Sequence, residues 1–257
     1  MVKNPITTNL DICSELKENK YAKILADDFS VAPRLLDDWH HFSMGWNDLQ
    51  ADNYLKDNAC FRLRRFAYIY FLPDTGEILP YPPTPYFQSS ELNSYAGGIE
   101  RDFAPLLDST LQNKFLHNLI KFNFRQLPVS LKKARQPWRL DVHQIRVVGT
   151  PDVEGLPTPE GIHHDENDFV CIHLVSRKNA VGGISTIYDN DRNPLESCTL
   201  SQPMDSMILW DPRVMHGVSA LLPENPRKQA IRDTLLIGYS HEPDIERPDQ
   251  LAYAQSG

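Results

Sequence analysis

The sequence predicts a mostly β protein, a sandwich or barrel of short strands with flanking helices. From Trp138 onward, short β-rich runs alternate with turn residues, a spacing typical of sandwiches and barrels. No internal repeat or low-complexity linker divides the 257 residues. We therefore expect a single domain, 1-257, in which 1-137 supply helices and extra strands that support the core. Residues 138-241 then supply the main strands and the functional site.

Helical patterns dominate the first part of the chain, to about residue 60. Ser14 is placed to cap a short helix, and Leu35, Leu36, Trp39 and Phe42 follow helical spacing. These segments are typical of packing helices, which bury one apolar face and carry no chemistry of their own.

The middle of the chain combines a strand, a loop and a helix. Phe61 to Pro73 predicts a strand with alternating aromatic residues, and the proline-dense segment EILPYPPTPYFQSS predicts an irregular loop. The segment LQNKFLHNLIKFNF then predicts a helix that lies against a sheet, with Asp108, Ser109 and Thr110 supplying its capping groups.

The C-terminal half contains a series of short apolar runs separated by turn residues, each of which predicts a strand. In chain order they are RLDVHQIRVVG, FVCIHLVS, GGISTIYD, DSMILWD, MHGVSALL and IRDTLLIGYS.

Composition and charge exclude several function classes. The formal net charge is -8, and acidic residues are spread along the chain, which argues against nucleic acid or a membrane surface as a partner. The four cysteines lie far apart without a C-x-x-C pair, so neither a disulfide framework nor a zinc-thiolate site is indicated. The N-terminal residues lack the apolar stretch of a signal peptide, and we expect a cytoplasmic protein.

The segment GIHHDENDF contains the residues that best fit a metal site. His163 and Asp165 are two positions apart, so in an extended segment they share one face, and His216 can join them from a later strand. Two histidines and one carboxylate form the facial triad that binds non-haem Fe(II) and leaves coordination positions open.

The same segment contains a competing pair, His164 and Glu166, which would point to the opposite face. A solvent-facing His164 is the favoured interpretation, because only one pair can face the interior. The residues alone leave the choice of register open.

The open positions on iron suit 2-oxoglutarate, which chelates through two of them and leaves the third for O2. The distal carboxylate of this cosubstrate needs a fixed cation, and Arg232 offers a planar guanidinium on the strand after the His216 segment. Thr234 lies two residues further along the same strand and can add a hydroxyl donor on the same face.

Several segments together resemble the bacterial Fe(II)/2-oxoglutarate-dependent dioxygenases that hydroxylate free L-amino acids, the group typified by L-isoleucine 4-hydroxylase. Besides H-x-D and the distal histidine, the segments are YFQSSELNSYAGG, VHQIR, Gly182-Gly183 and IRDTLLIGY. The resemblance implies a double-stranded β-helix, a jelly-roll or cupin-like core with the metal at its mouth. It also implies that His163, Asp165 and His216 bind iron and that Arg232 binds the cosubstrate. The segments ILWDPRVMHGV and PDVEGLPTPEG depart from the isoleucine hydroxylase pattern, which leaves the identity of the amino acid open.

A zwitterionic amino acid needs a cation, an ammonium acceptor and an apolar wall. The candidates for the polar substrate contacts are Arg62, Arg64, Gln144 and Arg146. Tyr86 and Phe87, in a segment shared with the relatives, are candidates for a lid or wall of the pocket.

Two alternative functions fit the same ligand set. A cupin-like metal-dependent hydrolase would use the triad to activate water and would have no need of Arg232. A non-catalytic metal-binding sensor domain could share the barrel, because fold alone does not establish function.

Overall fold

The computed structural model describes residues 4–91, 93 and 95–244. The helices are α1 Ile12–Asn19, α2 Leu36–Met44, α3 Asp108–Leu111 and α4 Lys114–Gln126. The strands are β1 Ile6–Thr8, β2 Tyr21–Ile24, β3 Phe29–Val31, β4 Gln50–Ala51, β5 Arg62–Leu72, β6 Glu77–Pro80, β7 Trp138–Gly149, β8 Phe169–Lys178, β9 Ala180–Gly182, β10 Ser185–Tyr188, β11 Pro194–Cys198, β12 Ser206–Leu209, β13 Met215–Val218, β14 Leu221–Pro223 and β15 Ala230–His241.

An antiparallel main sheet forms the framework of the molecule. Its strand order is β2-β12-β8-β15-β7-β5-β4, and β6 pairs with β5. A smaller sheet of order β11-β10-β13 lies over one face, where Ile187 of β10 joins a buried cluster with Ile172 and Leu174 of β8. The two sheets form the jelly-roll core, so the predicted fold class, mostly β with flanking helices and a double-stranded β-helix, is confirmed.

The other face of the main sheet packs against the helices. Leu235, Ile237 and Tyr239 of β15 join the large core cluster, in which residues of α4 such as Leu116 and Leu119 are fully buried. Because side chains alternate along a strand, the neighbouring positions on β15 point toward the smaller sheet. The helices therefore support the sheet from behind and leave its inner face free for a site.

The core cluster takes residues from both 1-137 and 138-241, while residues 245-257 lie outside the described part of the chain. The single domain over 1-257 stays a prediction. Within the described ranges, no helix has the length and apolarity needed to cross a bilayer.

The N-terminal part differs from its prediction. The prediction of helices up to about residue 60 is only partly right, because β1 to β4 lie there as well as α1 and α2. Tyr21–Ile24 forms an edge strand of the main sheet on β12, which buries Ala22 and Ile24. The cap of α1 is Asp11, whose side chain accepts a hydrogen bond from the Ser14 backbone N–H. The capping role predicted for Ser14 is wrong.

Two further boundaries differ from the predictions. Glu77–Pro80, at the start of the proline-dense segment, pairs with β5 as strand β6 instead of forming an irregular loop. The run MHGVSALL forms two strands, since β13 pairs with β10 in the smaller sheet and β14 pairs with β9.

The predicted central helix is interrupted. Asp108–Leu111 forms one turn, and the long helix α4 begins only at Lys114. Its N-cap is Asn113, whose side-chain oxygen accepts hydrogen bonds from the backbone N–H groups of Phe115 and Leu116. The Asn113 amide nitrogen also donates to the Asp38 carbonyl oxygen at 3.0 Å, which links α4 to α2. The predicted cap at residues 108 to 110 is therefore wrong.

We expect Asn113→Ala to lower the free energy of unfolding by about 1 to 2 kcal/mol, because it removes the N-cap of α4. The exposed Ser109, the capping residue proposed from sequence, gives the control, and Ser109→Ala should change the stability by less than about 0.5 kcal/mol. Urea denaturation measures both values. Equal losses in the two variants would contradict the assigned cap.

Candidate active site

The structure brings His163, Asp165 and His216 together. His163 and Asp165 lie in the loop before β8, and His216 lies on β13. The main chains of His163 and His216 exchange two hydrogen bonds, each with an N–O distance of 3.0 Å. Asp165 Oδ1 is 3.3 Å from His163 Nε2, and Asp165 Oδ2 is 3.6 Å from His216 Nε2. The three candidate ligand atoms lie within 4.8 Å of one another, so they can hold one metal ion.

The three candidate ligands differ in protonation state. Burial of His163 is outweighed by its hydrogen bond to Asp165 and the charge of Glu160, which raise its pKa to about 10, so a metal ion that binds this imidazole would displace a proton. The Gly161 carbonyl oxygen lies 3.0 Å from His163 Nδ1, which directs Nε2 toward the other ligands, as is common in metal-binding histidines. Burial and the charge of His163 lower the pKa of His216 to about 4, so this imidazole is neutral near pH 7. Burial of Asp165 is outweighed by the neighbouring imidazoles of His216 and His163, which hold its pKa below the usual range. Asp165 Oδ2 is buried without a hydrogen-bond partner, as expected for a carboxylate that awaits a cation.

Asp211 holds in place the loop that contains His163 and Asp165. Its carboxylate accepts hydrogen bonds from the backbone N–H of Asp165 at 3.0 and 3.1 Å and from that of Asn167 at 3.2 Å. Burial and the nearby Asp165 charge raise the pKa of Asp211 to about 7. Its position just before β13 was not foreseen from sequence, because no spacing or motif marks it.

The competing pair, His164 and Glu166, does not meet His216. The His164 ring lies against the Asp211 backbone carbonyl, and Glu166 is exposed with a positive φ of 66°. The Glu166 carboxylate accepts a hydrogen bond from the Ser89 backbone N–H at 3.0 Å. The structure thus turns this pair away from the third candidate ligand.

Arg232 and Thr234 lie on β15, on the face toward the smaller sheet, and both are buried. Among the described residues, no carboxylate lies within ion-pair distance of Arg232, and its Nε has no hydrogen-bond partner. Burial and the nearby charge of Arg177 lower the pKa of Arg232 to about 10, so the guanidinium remains charged at neutral pH. A buried cation without an anion is costly, and it suits the carboxylate of a bound ligand.

Arg177 adds a second cation that the sequence reasoning missed. It pairs with Arg232 in the β8–β15 register, and its Nη1 is buried without a partner while Nη2 donates to the Ala180 and Gly182 carbonyls. A Cβ at Gly183 would lie only 2.9 Å from Arg177 Nη1 and 3.5 Å from Arg232 Cδ. The glycine at this position, with a φ of 60°, leaves room beside both guanidinium groups.

A cavity opens beside Asp165. Its polar wall contains Arg62, Arg64 and Arg101, each of which is more than nine-tenths buried. The other lining residues that bear on the site are Tyr86, Gln88, His143, Ile145, Glu160 and Leu236.

The wall carries more positive than negative charge. Arg62 Nε lies 2.7 Å from Asp52 Oδ2, while Arg64 Nε is 3.9 Å from the same oxygen and has no hydrogen-bond partner. Arg101 donates to Gln88 Oε1 at 2.7 Å and stacks over Tyr86 at 4.8 Å, without an ion pair in the described part of the chain. The two carboxylates that line the cavity, Glu160 and Asp165, lie against His163. Among the described residues, neither Arg64 nor Arg101 donates a hydrogen bond to a carboxylate, so both can bind an anion.

Some of the residues predicted to contact substrate line the cavity beside Asp165, and others do not. Arg62, Arg64 and Tyr86 line the cavity, and Tyr86 packs in an aromatic cluster with Phe66 and Phe103. Phe87 is 51% exposed and lines a neighbouring cavity on the other side of Asp165.

The structure does not bring Gln144 and Arg146 to the cavity. On β7, His143 and Ile145 face the cavity, so residues 144 and 146 point to the helix-covered face. Accordingly, a Cβ at Gly45 would meet the Gln144 amide at 2.9 Å, and Arg146 forms a bidentate ion pair with Asp233 at 2.7 and 2.8 Å. Neither side chain lines the cavity, and Arg146 is held by Asp233, so we do not retain the two residues as substrate contacts.

Two charged residues of the cavity were missed from sequence, Arg101 and Glu160. Arg101 lies in a loop without a recognisable motif, so no local signal marks it. Glu160 precedes His163 by three residues, and its Oε1 lies 3.3 Å from His163 Nε2. Its closeness to the H-x-D pair was the available signal.

Comparisons with known proteins agree with this geometry. Residues 43–238 match the family described as 2OG-Fe dioxygenase. The chain is 27% identical over 198 residues to L-isoleucine-4-hydroxylase of Bacillus thuringiensis, which covers 75% of this chain and 82% of that protein. It is 24% identical over 226 residues to 3(1)-hydroxy-L-isoleucine 4-dioxygenase of Pantoea ananatis (strain AJ13355), covering 85% and 87%. The crystal structure of IDO from Bacillus thuringiensis superposes with a TM-score of 0.76 at 21% identity, over 90% of this chain and 98% of the other.

We expect His163→Ala, Asp165→Ala and His216→Ala each to weaken Fe(II) binding by more than about 100-fold, the upper range for residues that only orient ligands. His164→Ala should have a much smaller effect, because the His164 ring lies against the Asp211 carbonyl oxygen and away from Asp165 and His216. Anaerobic Fe(II) titration gives the affinities, and circular dichroism shows whether the fold persists. Retained Fe(II) binding in His163→Ala with loss in His164→Ala would require the opposite register.

Proposed function

This chain belongs to the 2OG-Fe dioxygenase family, and from that membership we propose that it hydroxylates the side chain of a free, mostly aliphatic L-amino acid. The enzyme uses Fe(II), 2-oxoglutarate and O2. The proposed substrates are of the isoleucine, leucine or methionine type, and the coproducts are succinate and CO2.

The observation that supports the substrate proposal is a pair of buried guanidinium groups beside Asp165 that have no hydrogen bond to a carboxylate. Arg64 and Arg101 line the cavity, and the Nε of each is buried without a hydrogen-bond partner, whereas Asp52 pairs most closely with Arg62. A substrate carboxylate would supply the missing acceptor and form charge-assisted hydrogen bonds. This argument favours a small anionic substrate over a neutral one such as a sterol.

The apolar part of the same cavity suits an aliphatic side chain. Ile145 of β7 and Leu236 of β15 line it on the side of the main sheet, and the Tyr86 ring closes another side. In this otherwise polar cavity, these residues form an apolar side against which an aliphatic side chain could place one C–H bond near the metal. The names of the two curated relatives, both of which refer to isoleucine, support the same substrate class.

In this proposal, His163, Asp165 and His216 hold Fe(II), and Arg232 with Thr234 binds the distal carboxylate of 2-oxoglutarate. When bound, Fe(II) and 2-oxoglutarate supply the oxidation of an unactivated C–H bond by O2. The protein contributes the orientation of the substrate, the charge that neutralises both carboxylates and a cavity from which bulk water is excluded.

The family assignment leaves the two alternative functions without support. A metal-dependent hydrolase would give no role to the buried, unpaired Arg232. A sensor domain would bind ligands without turnover, so production of succinate with a candidate substrate separates an enzyme from a sensor.

The proposed function is tested with a panel of free L-amino acids incubated with Fe(II), ascorbate and 2-oxoglutarate. Mass spectrometry should detect a gain of one oxygen in aliphatic members of the panel. We expect several related amino acids to be accepted, because one methylene discriminates by only about 1 to 3 kcal/mol.

We expect the methyl ester and the N-acylated form of the best substrate to turn over much more slowly than the free amino acid. Esterification removes the negative charge that the arginine wall would bind. The values of kcat/KM for the three forms, measured under identical conditions, give the comparison. Faster turnover of the ester or of a peptide would leave the dioxygenase assignment standing and reject the free amino acid.

We expect Arg232→Ala to weaken 2-oxoglutarate binding by about 2 to 5 kcal/mol while Fe(II) remains bound, because the variant removes the cation opposite a buried carboxylate. Arg232→Lys should recover only part of the affinity, since a lysine cannot form the planar bidentate contact. Calorimetry on the Fe(II)-loaded protein measures the affinity, and the exposed Arg213→Ala serves as the control. Unchanged affinity in Arg232→Ala would assign the role to another cation, with Arg177 as the first candidate.

A further inference from the structure

Glu160 is a carboxylate in an unusual position. It lies in the turn before His163, lines the same cavity as the three arginines, and its side chain is only 12% exposed. Among the described residues, the ion-pair partner within reach of its carboxylate is His163, with Oε1 3.3 Å from Nε2. His163 is therefore the close partner of the Glu160 carboxylate in the described part of the chain.

The contact with His163 uses the nitrogen that the metal site requires. His163 Nδ1 is occupied by the Gly161 carbonyl oxygen, so Nε2 is the atom left to bind a metal ion. Nε2 cannot coordinate a metal ion and donate a hydrogen bond to Glu160 at the same time. In the metal-loaded protein, Glu160 would lose its contact with His163 Nε2 and would lie beside the positively charged ion, as a largely buried carboxylate that lines the cavity and can accept hydrogen bonds from a ligand.

The cavity offers a cation-binding point at Glu160 and an anion-binding point at the arginine wall. Arg101 lies close enough to interact electrostatically with Glu160, yet the two do not form an ion pair. Arg64 and Arg101 keep nitrogen atoms without hydrogen-bond partners, as described above. An α-amino acid carries an ammonium group and a carboxylate on one carbon, and its two charges match these two points.

We propose that Glu160 binds the α-ammonium group of the substrate and thereby selects free amino acids over acids that lack the amine. This inference rests on the proposed amino acid substrate and adds the residue that recognises its amine. The same contact would fix the α-carbon next to the metal site, so that the side chain extends along Ile145 and Leu236. An N-acylated substrate would lose the positive charge and would bring an uncharged amide to Glu160.

The test compares L-isoleucine and L-leucine with their deaminated counterparts, 3-methylpentanoate and 4-methylpentanoate. Calorimetry measures the binding of each compound to the protein loaded with Fe(II) and 2-oxoglutarate in the absence of O2. The variants are Glu160→Gln, which keeps the shape of the side chain, and Glu154→Gln, an exposed control in the same loop. Addition of O2 then reports hydroxylated product by mass spectrometry in the same samples.

We expect Glu160→Gln to weaken amino acid binding by about tenfold or more and to leave binding of the deaminated acids unchanged. KM for the amino acid should rise more than kcat falls, and affinities for Fe(II) and 2-oxoglutarate should stay at the level of the parent protein. Glu154→Gln should match the parent protein in every measurement.

Two results would overturn the role of Glu160. Equal weakening of both compound types, or weaker Fe(II) binding, would show that Glu160 shapes the cavity or the metal site instead. An unchanged preference for the amine in Glu160→Gln would assign the ammonium group to another acceptor. Failure of the proposed function is a separate outcome, in which the parent protein binds amino acids through Glu160 but forms no hydroxylated product. Absence of amino acid binding by the parent protein would reject both.

Discussion

The pair of hydrogen bonds between the main chains of His163 and His216 is the constraint on which the site depends. It joins the loop before β8 to strand β13 and brings the two imidazole rings to a centroid separation of 4.4 Å. The segment that contains His216 also supplies Asp211, which accepts the backbone N–H groups of Asp165 and Asn167. The segment from Asp211 to His216 thus holds the loop that contains His163 and Asp165. Hydrogen bonds of the main chain position each of the three candidate ligands.

Several buried polar atoms without hydrogen-bond partners lie at the candidate site. They belong to Arg232 and Arg177, to Asp165 and His216, and to Arg64 and Arg101, whereas others, such as those of Asn123 and Gln144, lie elsewhere. Folded proteins rarely leave such atoms unsatisfied, because each costs roughly 1 to 3 kcal/mol. In the proposed function, the cosubstrate, the metal ion and the substrate would each supply partners for one of these pairs. Ligands that satisfy these atoms also stabilise the folded protein, since they bind the native state alone.

The errors of prediction in the N-terminal part have a common physical cause. Helix and strand propensities are weak, and the pairing of Tyr21–Ile24 with β12 buries Ala22 and Ile24 whatever the local preference. In the same way, Asn113 caps α4 because packing makes the helix begin at Lys114, although three earlier residues also have capping side chains. Local patterns show that an element is possible, and tertiary contacts decide where it begins and ends.

The sequence by itself determined the mostly β fold class, the strand-rich C-terminal half and the closeness of His163 to Asp165, because these follow from periodicity and from spacing within one segment. The choice of His216 as the third candidate ligand and of the register came from the resemblance to a known family. Only the tertiary structure decided which face of each element meets the site. It turned His164 and Glu166 away from His216, and it placed Gln144 and Arg146 on the helix-covered face of β7. It also brought Arg101 to the arginines of β5 from a distant loop. Such contacts join residues that are far apart in the chain, and their formation depends on how the whole sheet packs, so no local pattern encodes them.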